Sequence, residues 1–168
     1  AERVADLSIV SIERDPQRAR RLAQTLQRCR VDAQLVVEDA IEVSRWWDGR
    51  AFDRILIDAP CTGTGVIRRH PDIKHLRRPE DVPAQVRQQA RLLDALWPLL
   101  TPGGRLTYAT CSIIRAENHD QIQAFLKRTP DARSVALPFA PAGTHAWQNL
   151  SGVDAADGFF YASLQRAP

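Results

Sequence analysis

The chain has 168 residues, 44% hydrophobic and 26% charged, with a formal net charge of +3. That is about one ordinary domain's length with enough apolar side chains for a packed core, which excludes disordered and fibrous classes. No run approaches the ~18 consecutive apolar residues of a membrane span and no basic-then-apolar leader opens the chain, so a cytoplasmic location and no membrane partner are expected.

Residues 7–12 (LSIVSI) read as a short β-branched strand. Asp15 and Pro16 then supply an N-cap and a first-turn proline for a helix to about Arg28. Residues 33–37 and 52–57 are two further strands, followed directly by the acids Asp39 and Asp58. Between 82 and 100, Val82, Val86, Leu93, Leu96 and Leu100 recur on one helical face, and the turn Thr101-Pro102-Gly103-Gly104 is expected to stop that helix. A strand at 105–109, a helix at 116–127 and weaker strands at 134–137 and 159–164 complete the pattern, the last two separated by a Pro/Gly-containing loop. The chain reads as one domain over 1–168.

Strands alternating with helices imply an α/β fold with a mostly parallel sheet and right-handed crossovers. Such sheets bind ligands beyond the carboxyl ends of their strands. The informative residues are therefore Glu13, Asp39, the stretch 58–65 and Thr110-Cys111-Ser112, all on one sheet edge. Glu13 is placed to accept from a ribose diol and Asp39 from an adenine amino group, although either could equally be a solvated or capping acid.

Asp58-Ala59-Pro60-Cys61-Thr62-Gly63-Thr64-Gly65 joins an acid, a turn-fixing proline, a thiol and glycines that permit close backbone approach. Cys111 ends the next strand and could be a nucleophile if its neighbours lower its pKa from ~8.5. From spacing alone the roles of Cys61 and Cys111 are exchangeable. A cysteine hydrolase using Cys111, His119 and Asn118 lacks a diagnostic spacing. Gly63-Thr64-Gly65 is no dinucleotide fingerprint, because GxGxxG should follow the first strand. The three cysteines, Cys29, Cys61 and Cys111, fit neither a disulfide framework nor a zinc site, the four histidines form no ligand pattern, and no metal is expected. Trp46-Trp47 reads as packing.

The basic balance is local. Arg68, Arg69, Lys74, Arg77 and Arg78 stand against Asp72 alone, a charge of +4 in eleven residues that points to an anionic partner.

Taken together, DAPCTGTG at 58–65, VIRRHPDIKHLRR at 66–78, YATCS at 108–112 and DGFFYA at 157–162 resemble the Sun (Fmu) branch of the RNA cytosine-C5 methyltransferases over most of the chain. The resemblance implies a Rossmann-like class I methyltransferase fold, S-adenosyl-L-methionine as cofactor, and RNA as partner, with 16S ribosomal RNA foremost. It makes Cys111 the nucleophile, Cys61 the group that assists release of product, and Asp58 a neighbour of both cofactor and target base. Glu13 would hold the cofactor ribose, Asp39 its adenine, and the basic segment the RNA phosphates. The family commonly has Asp at the position of Glu13 and Ser at that of Thr62. Its first strand and Gly-rich cofactor loop would precede residue 1, so the chain is expected to be a C-terminal catalytic portion with weak or no cofactor affinity by itself. A non-catalytic RNA-binding module and a small-molecule methyltransferase are the alternatives.

Overall fold

The computed structural model describes residues 7–141, 143–152 and 156–168, which fall into two units, Ala1–Arg50 and Ala51–Pro168. In the smaller unit β1 (Val10–Ile12) and β2 (Gln34–Val36) pair in parallel across α1 (Pro16–Arg28). The helix starts where the sequence says it should: Asp15 accepts from the backbone N–H groups of Gln17 and Arg18, and Pro16 occupies the first turn. Those two bonds hold the Asp15 carboxyl below its ordinary pKa. The helix ends with Val31 N–H on Leu26 C=O and Arg30 N–H on Gln27 C=O, a closure that needs a left-handed residue. Here Arg30 takes that role at φ 53°. Trp46 and Trp47 donate their indole N–H groups to the carbonyls of Ala40 and Arg50.

The larger unit is a five-stranded sheet with β3 (Phe52–Asp58), β4 (Leu100–Thr110), β7 (Phe159–Arg166) and β5 (Ala132–Val135) in that order, and β6 (Ala146–Asn149) continuing along the β5 edge of β7. β3 and β4 are parallel, and β7 is antiparallel to β4, β5 and β6. Four strands therefore share one direction and β7 alone is reversed. The α/β pattern holds, but the sheet is mixed rather than mostly parallel: β3–β4 is its one parallel pairing among the described residues, because the strand at 159–164 enters between β4 and β5 without a helical crossover and so pairs antiparallel on both sides.

Three elements differ in detail from the sequence reading. After the short α2 (Ile73–Leu76), the long helix, α3, spans Asp81–Leu96 and gives way to a 3₁₀ turn at Trp97–Leu99. Pro98 lacks the N–H to continue the helix, so the stop lies before Thr101-Pro102-Gly103-Gly104. Those four residues instead belong to β4, where the register jumps from Phe52↔Leu100 to Arg54↔Arg105 and Gly103 adopts φ +75°. The third is β6, which lies in the stretch read as a loop. Only pairing with β7 makes it a strand.

One face of β4 is buried at Leu106, Tyr108 and Thr110, beside Phe160, Ala162 and Leu164 of β7. Leu92, Leu93 and Leu96 of α3 and Ile122 and Phe125 of α4 (His119–Arg128) are buried as well. Trp97 meets Phe125 edge-on at 5.3 Å, and Tyr108 meets Phe160 at 6.3 Å. No helix among the described residues is long and apolar enough to cross a membrane.

Candidate active site

Because β3 and β4 are parallel neighbours with Asp58 opposite Ala109, the loops that leave them emerge side by side. Ala59 N–H extends the ladder by donating to Ala109 C=O at 2.9 Å. Two residues further along each chain, Cys61 Sγ and Cys111 Sγ lie 3.4 Å apart, both half-buried and both free thiols. Asp58, the last residue of β3, is exposed beside them.

A thiol and a thiolate at hydrogen-bond distance share a proton unequally. By accepting from Cys61, Cys111 is lowered to about 7, against its own partial burial and the nearby Asp58 and Glu117 carboxylates. Cys61 is pushed far up by donating to Cys111, by burial and by the negative charge it faces. A pair so placed can present one sulfur as thiolate while the other keeps the proton, which is the condition for a nucleophilic cysteine.

The backbone on either side of each cysteine is tied down. Gln89 Nε2 donates to Pro60 C=O at 2.9 Å, Arg77 Nε to Thr62 C=O at 2.6 Å, and Thr62 N–H to Glu117 Oε1 at 2.9 Å. On the other loop Thr110 Oγ1 donates to Asn118 Oδ1 at 2.6 Å, Asn118 Nδ2 to Ser112 C=O at 2.8 Å, and Ser112 Oγ to Glu117 Oε2 at 2.5 Å. Gly65 N–H donates to Cys111 C=O, and Gly65 C=O accepts from Gly158 N–H and Ser151 Oγ. A Cβ at Gly65 would run into the carbonyl of Gly158 and lie 2.9 Å from that of Cys111, so only glycine allows this approach.

Of the residues singled out from sequence, Asp58, Cys61 and Cys111 come together at one sheet edge. Glu13 and Asp39 lie in the smaller unit, after adjacent parallel strands. Glu13 Oε1 accepts from Asp15 N–H at 2.9 Å and Asp39 Oδ1 from Ile41 N–H at 3.0 Å. The basic segment is exposed at Arg68, Arg69, Lys74, Arg77 and Arg78, but Arg69 and Arg77 have internal work. Arg69 pairs with Asp157 at 2.6 Å, and Arg77 braces the Cys61 loop. The hydrolase constellation does not assemble: Asn118 is engaged with Thr110, Ser112 and Gln148, and the His119 ring stands against Phe160.

Sequence reasoning missed Gln89 and Glu117, both fully buried polar residues. The signal available for Glu117 was an acid directly before Asn118 at the start of a predicted helix, which reads locally as a solvated first-turn carboxylate. Among the described residues no group of three or more His, Cys, Asp or Glu side chains is arranged to hold a metal ion.

Comparison with known proteins places this geometry among methyltransferases. Residues 3–165 match the family profile described as 16S rRNA methyltransferase RsmB/F. The chain is 50% identical over 165 residues to ribosomal RNA small subunit methyltransferase B of Vibrio cholerae, covering 98% of this chain and 37% of that protein. It thus spans a little over a third of that relative's length. Among solved structures it is similar to a methyltransferase homolog protein from Pyrococcus horikoshii, at 30% identity and a TM-score of 0.80 over 96% of this chain and 54% of that one. It shares its fold with NSun6 from Pyrococcus horikoshii, solved with SFG, at 24% identity and a TM-score of 0.83 over 96% and 42% of the two chains.

Proposed function

The chain belongs to the 16S rRNA methyltransferase RsmB/F family, and on that premise we propose that its two-cysteine centre directs a methyl group from S-adenosyl-L-methionine to C5 of a cytosine in ribosomal RNA. The observation that carries the reading is the 3.4 Å separation of Cys61 Sγ and Cys111 Sγ at the ends of adjacent parallel strands.

C5 of cytosine is a poor nucleophile, and covalent addition at C6 is the way to activate it. The Cys111 thiolate adds to C6, the C5=C6 electron pair shifts to make C5 enamine-like, and C5 would then take the methyl group as its bond to the cofactor sulfur breaks, that electron pair staying on sulfur as a neutral thioether. The C5 proton must next pass to a water molecule, its bonding pair re-forming C5=C6. As C5=C6 re-forms, the Cys111–C6 bond breaks and returns the thiolate. Cys61 keeps Cys111 ionised beforehand by donating a hydrogen bond to it while retaining its own proton, and stands at the right distance to assist the release. The target base must be unpaired or flipped for C6 to reach a half-buried sulfur.

The bound cofactor supplies an electrophilic sulfonium methyl group. The donor chemistry suits it: Glu13 and Asp39 each engage one carboxylate oxygen locally. We assign the second oxygen of Glu13 to the ribose hydroxyls and that of Asp39 to the adenine amino group, with Asp58 bordering cofactor and base. Lys74 and Arg78, exposed in and just after the short helix Ile73–Leu76, are assigned to RNA phosphates.

The test is transfer of radiolabelled methyl to unmodified 16S ribosomal RNA by a polypeptide of the relatives' length that carries these residues, followed by nucleotide mapping. Label in 5-methylcytosine at a discrete position is expected. RNA binding without transfer would instead favour a binding module, and label in another base would refute cytosine-C5 chemistry.

A further inference from the structure

Glu117 has no exposure to solvent, yet its carboxylate takes four donors from three separate elements. Oε1 accepts from Thr62 N–H at 2.9 Å and Gln89 Nε2 at 3.2 Å, and Oε2 accepts from Thr62 Oγ1 at 2.6 Å and Ser112 Oγ at 2.5 Å. All four donors are uncharged. A carboxylate withdrawn from water is costly, and is tolerated only when its lone pairs are filled this completely. Its own backbone is held too, because the buried Tyr108 hydroxyl donates to Glu117 C=O at 2.7 Å.

The identity of the donors is the informative part. Thr62 follows Cys61 directly and Ser112 follows Cys111 directly, in loops about fifty residues apart in sequence. Gln89, the fourth donor, also holds Pro60 C=O on the other side of Cys61. We propose that Glu117 is a positioning residue: its single carboxylate clamps the residue after each cysteine and so sets the distance between Cys61 Sγ and Cys111 Sγ. This deepens the function proposed above, in which the two sulfurs act in one cycle, and rests on it for its catalytic meaning. Without the clamp the loops stay joined further along, by Gly65 N–H on Cys111 C=O and Ile113 N–H on Thr64 Oγ1, but the residues directly after the two cysteines lose the carboxylate that fixes both. Glu117 touches neither sulfur, and it acts only through Thr62 and Ser112.

The distance is read directly with phenylarsine oxide, whose trivalent arsenic bridges two nearby thiols. Two As–S bonds form, and the oxide oxygen leaves as water with the two thiol protons. A Cys29→Ser background removes the exposed third thiol. Capture by the parent, by Glu117→Ala and by the double variant Thr62→Val/Ser112→Ala is compared, with circular dichroism confirming the fold of each. The double variant removes the two hydroxyl donors, keeps Glu117, and decides the matter if Glu117→Ala does not fold. Both variants are expected to capture the arsenical at least tenfold more slowly than the parent. In a methyl-transferring polypeptide of the relatives' length, kcat should fall at least tenfold with KM for cofactor and RNA within about twofold. Parent-like capture by either folded variant overturns the proposal. Absence of methyl transfer by the parent leaves the capture result intact and counts against the proposed function instead.

Discussion

Replacing Cys61 by alanine removes the hydrogen bond that is the main cause of the low pKa of Cys111. What remains at Cys111 raises its pKa: partial burial and the negative charges of Asp58 and Glu117. The thiol should therefore return at least to the ordinary cysteine value of ~8.5. At pH 7 a group with a pKa of about 7 is half thiolate. At ~8.5 the thiolate fraction is about 3%, so the nucleophilic population falls roughly 15-fold or more. The sign follows from the thiolate being the deprotonated form: the reactivity curve moves to higher pH. Iodoacetamide alkylation in a Cys29→Ser background, followed from pH 5.5 to 9.5 and assigned to Cys111 by peptide mass spectrometry, reads the midpoint. A midpoint that stays near 7 in Cys61→Ala would refute the idea that the neighbouring thiol activates Cys111.

Gly65→Ala drives a Cβ into the carbonyls of Gly158 and Cys111. It should lower stability by about 1–3 kcal/mol, read as an earlier urea midpoint with unchanged slope, whereas a neutral effect would show that these loops separate at little cost. Lys74→Ala/Arg78→Ala should weaken RNA binding and reduce the salt dependence of log K by up to ~1.4, the value for two lost phosphate contacts on single-stranded RNA; an unchanged slope would remove these residues from the interface. Arg69→Ala should weaken binding less specifically, because it also leaves Asp157, whose Oδ1 is buried without a hydrogen-bond partner among the described residues, short of its ion pair.

How much of this was legible in the sequence depended on the range of the interactions involved. The α1 start was readable because Asp15 and Pro16 act on their own neighbours. The sheet edge was readable because Asp58 and Thr110 end hydrophobic strands, and parallel pairing of those strands brings Cys61 to Cys111. The reversal of β7 was not readable, since the pattern of Phe160, Ala162 and Leu164 is the same in either direction. Nor was β6, whose four residues become a strand only against β7. Glu117 illustrates the deeper limit. A glutamate beside Asn118 and His119 looks solvated until Thr62 and Gln89, distant in sequence, are folded around it together with nearby Ser112. The basic segment, conversely, looked uniform, and only the folded chain separates Arg69 and Arg77, which brace the site, from Lys74 and Arg78.

The central claim is that Cys111 forms the bond to RNA and Cys61 is needed to release it. Incubating Cys61→Ala and Cys111→Ala variants of a relatives'-length polypeptide with cofactor and unmodified 16S ribosomal RNA, then resolving protein–RNA adducts under denaturing conditions and mapping the modified peptide, tests it directly. A covalent adduct at Cys111 that accumulates in Cys61→Ala, with no adduct and no methyl transfer in Cys111→Ala, is the expected result. An adduct at Cys61 in the Cys111→Ala variant would contradict it and reverse the two roles.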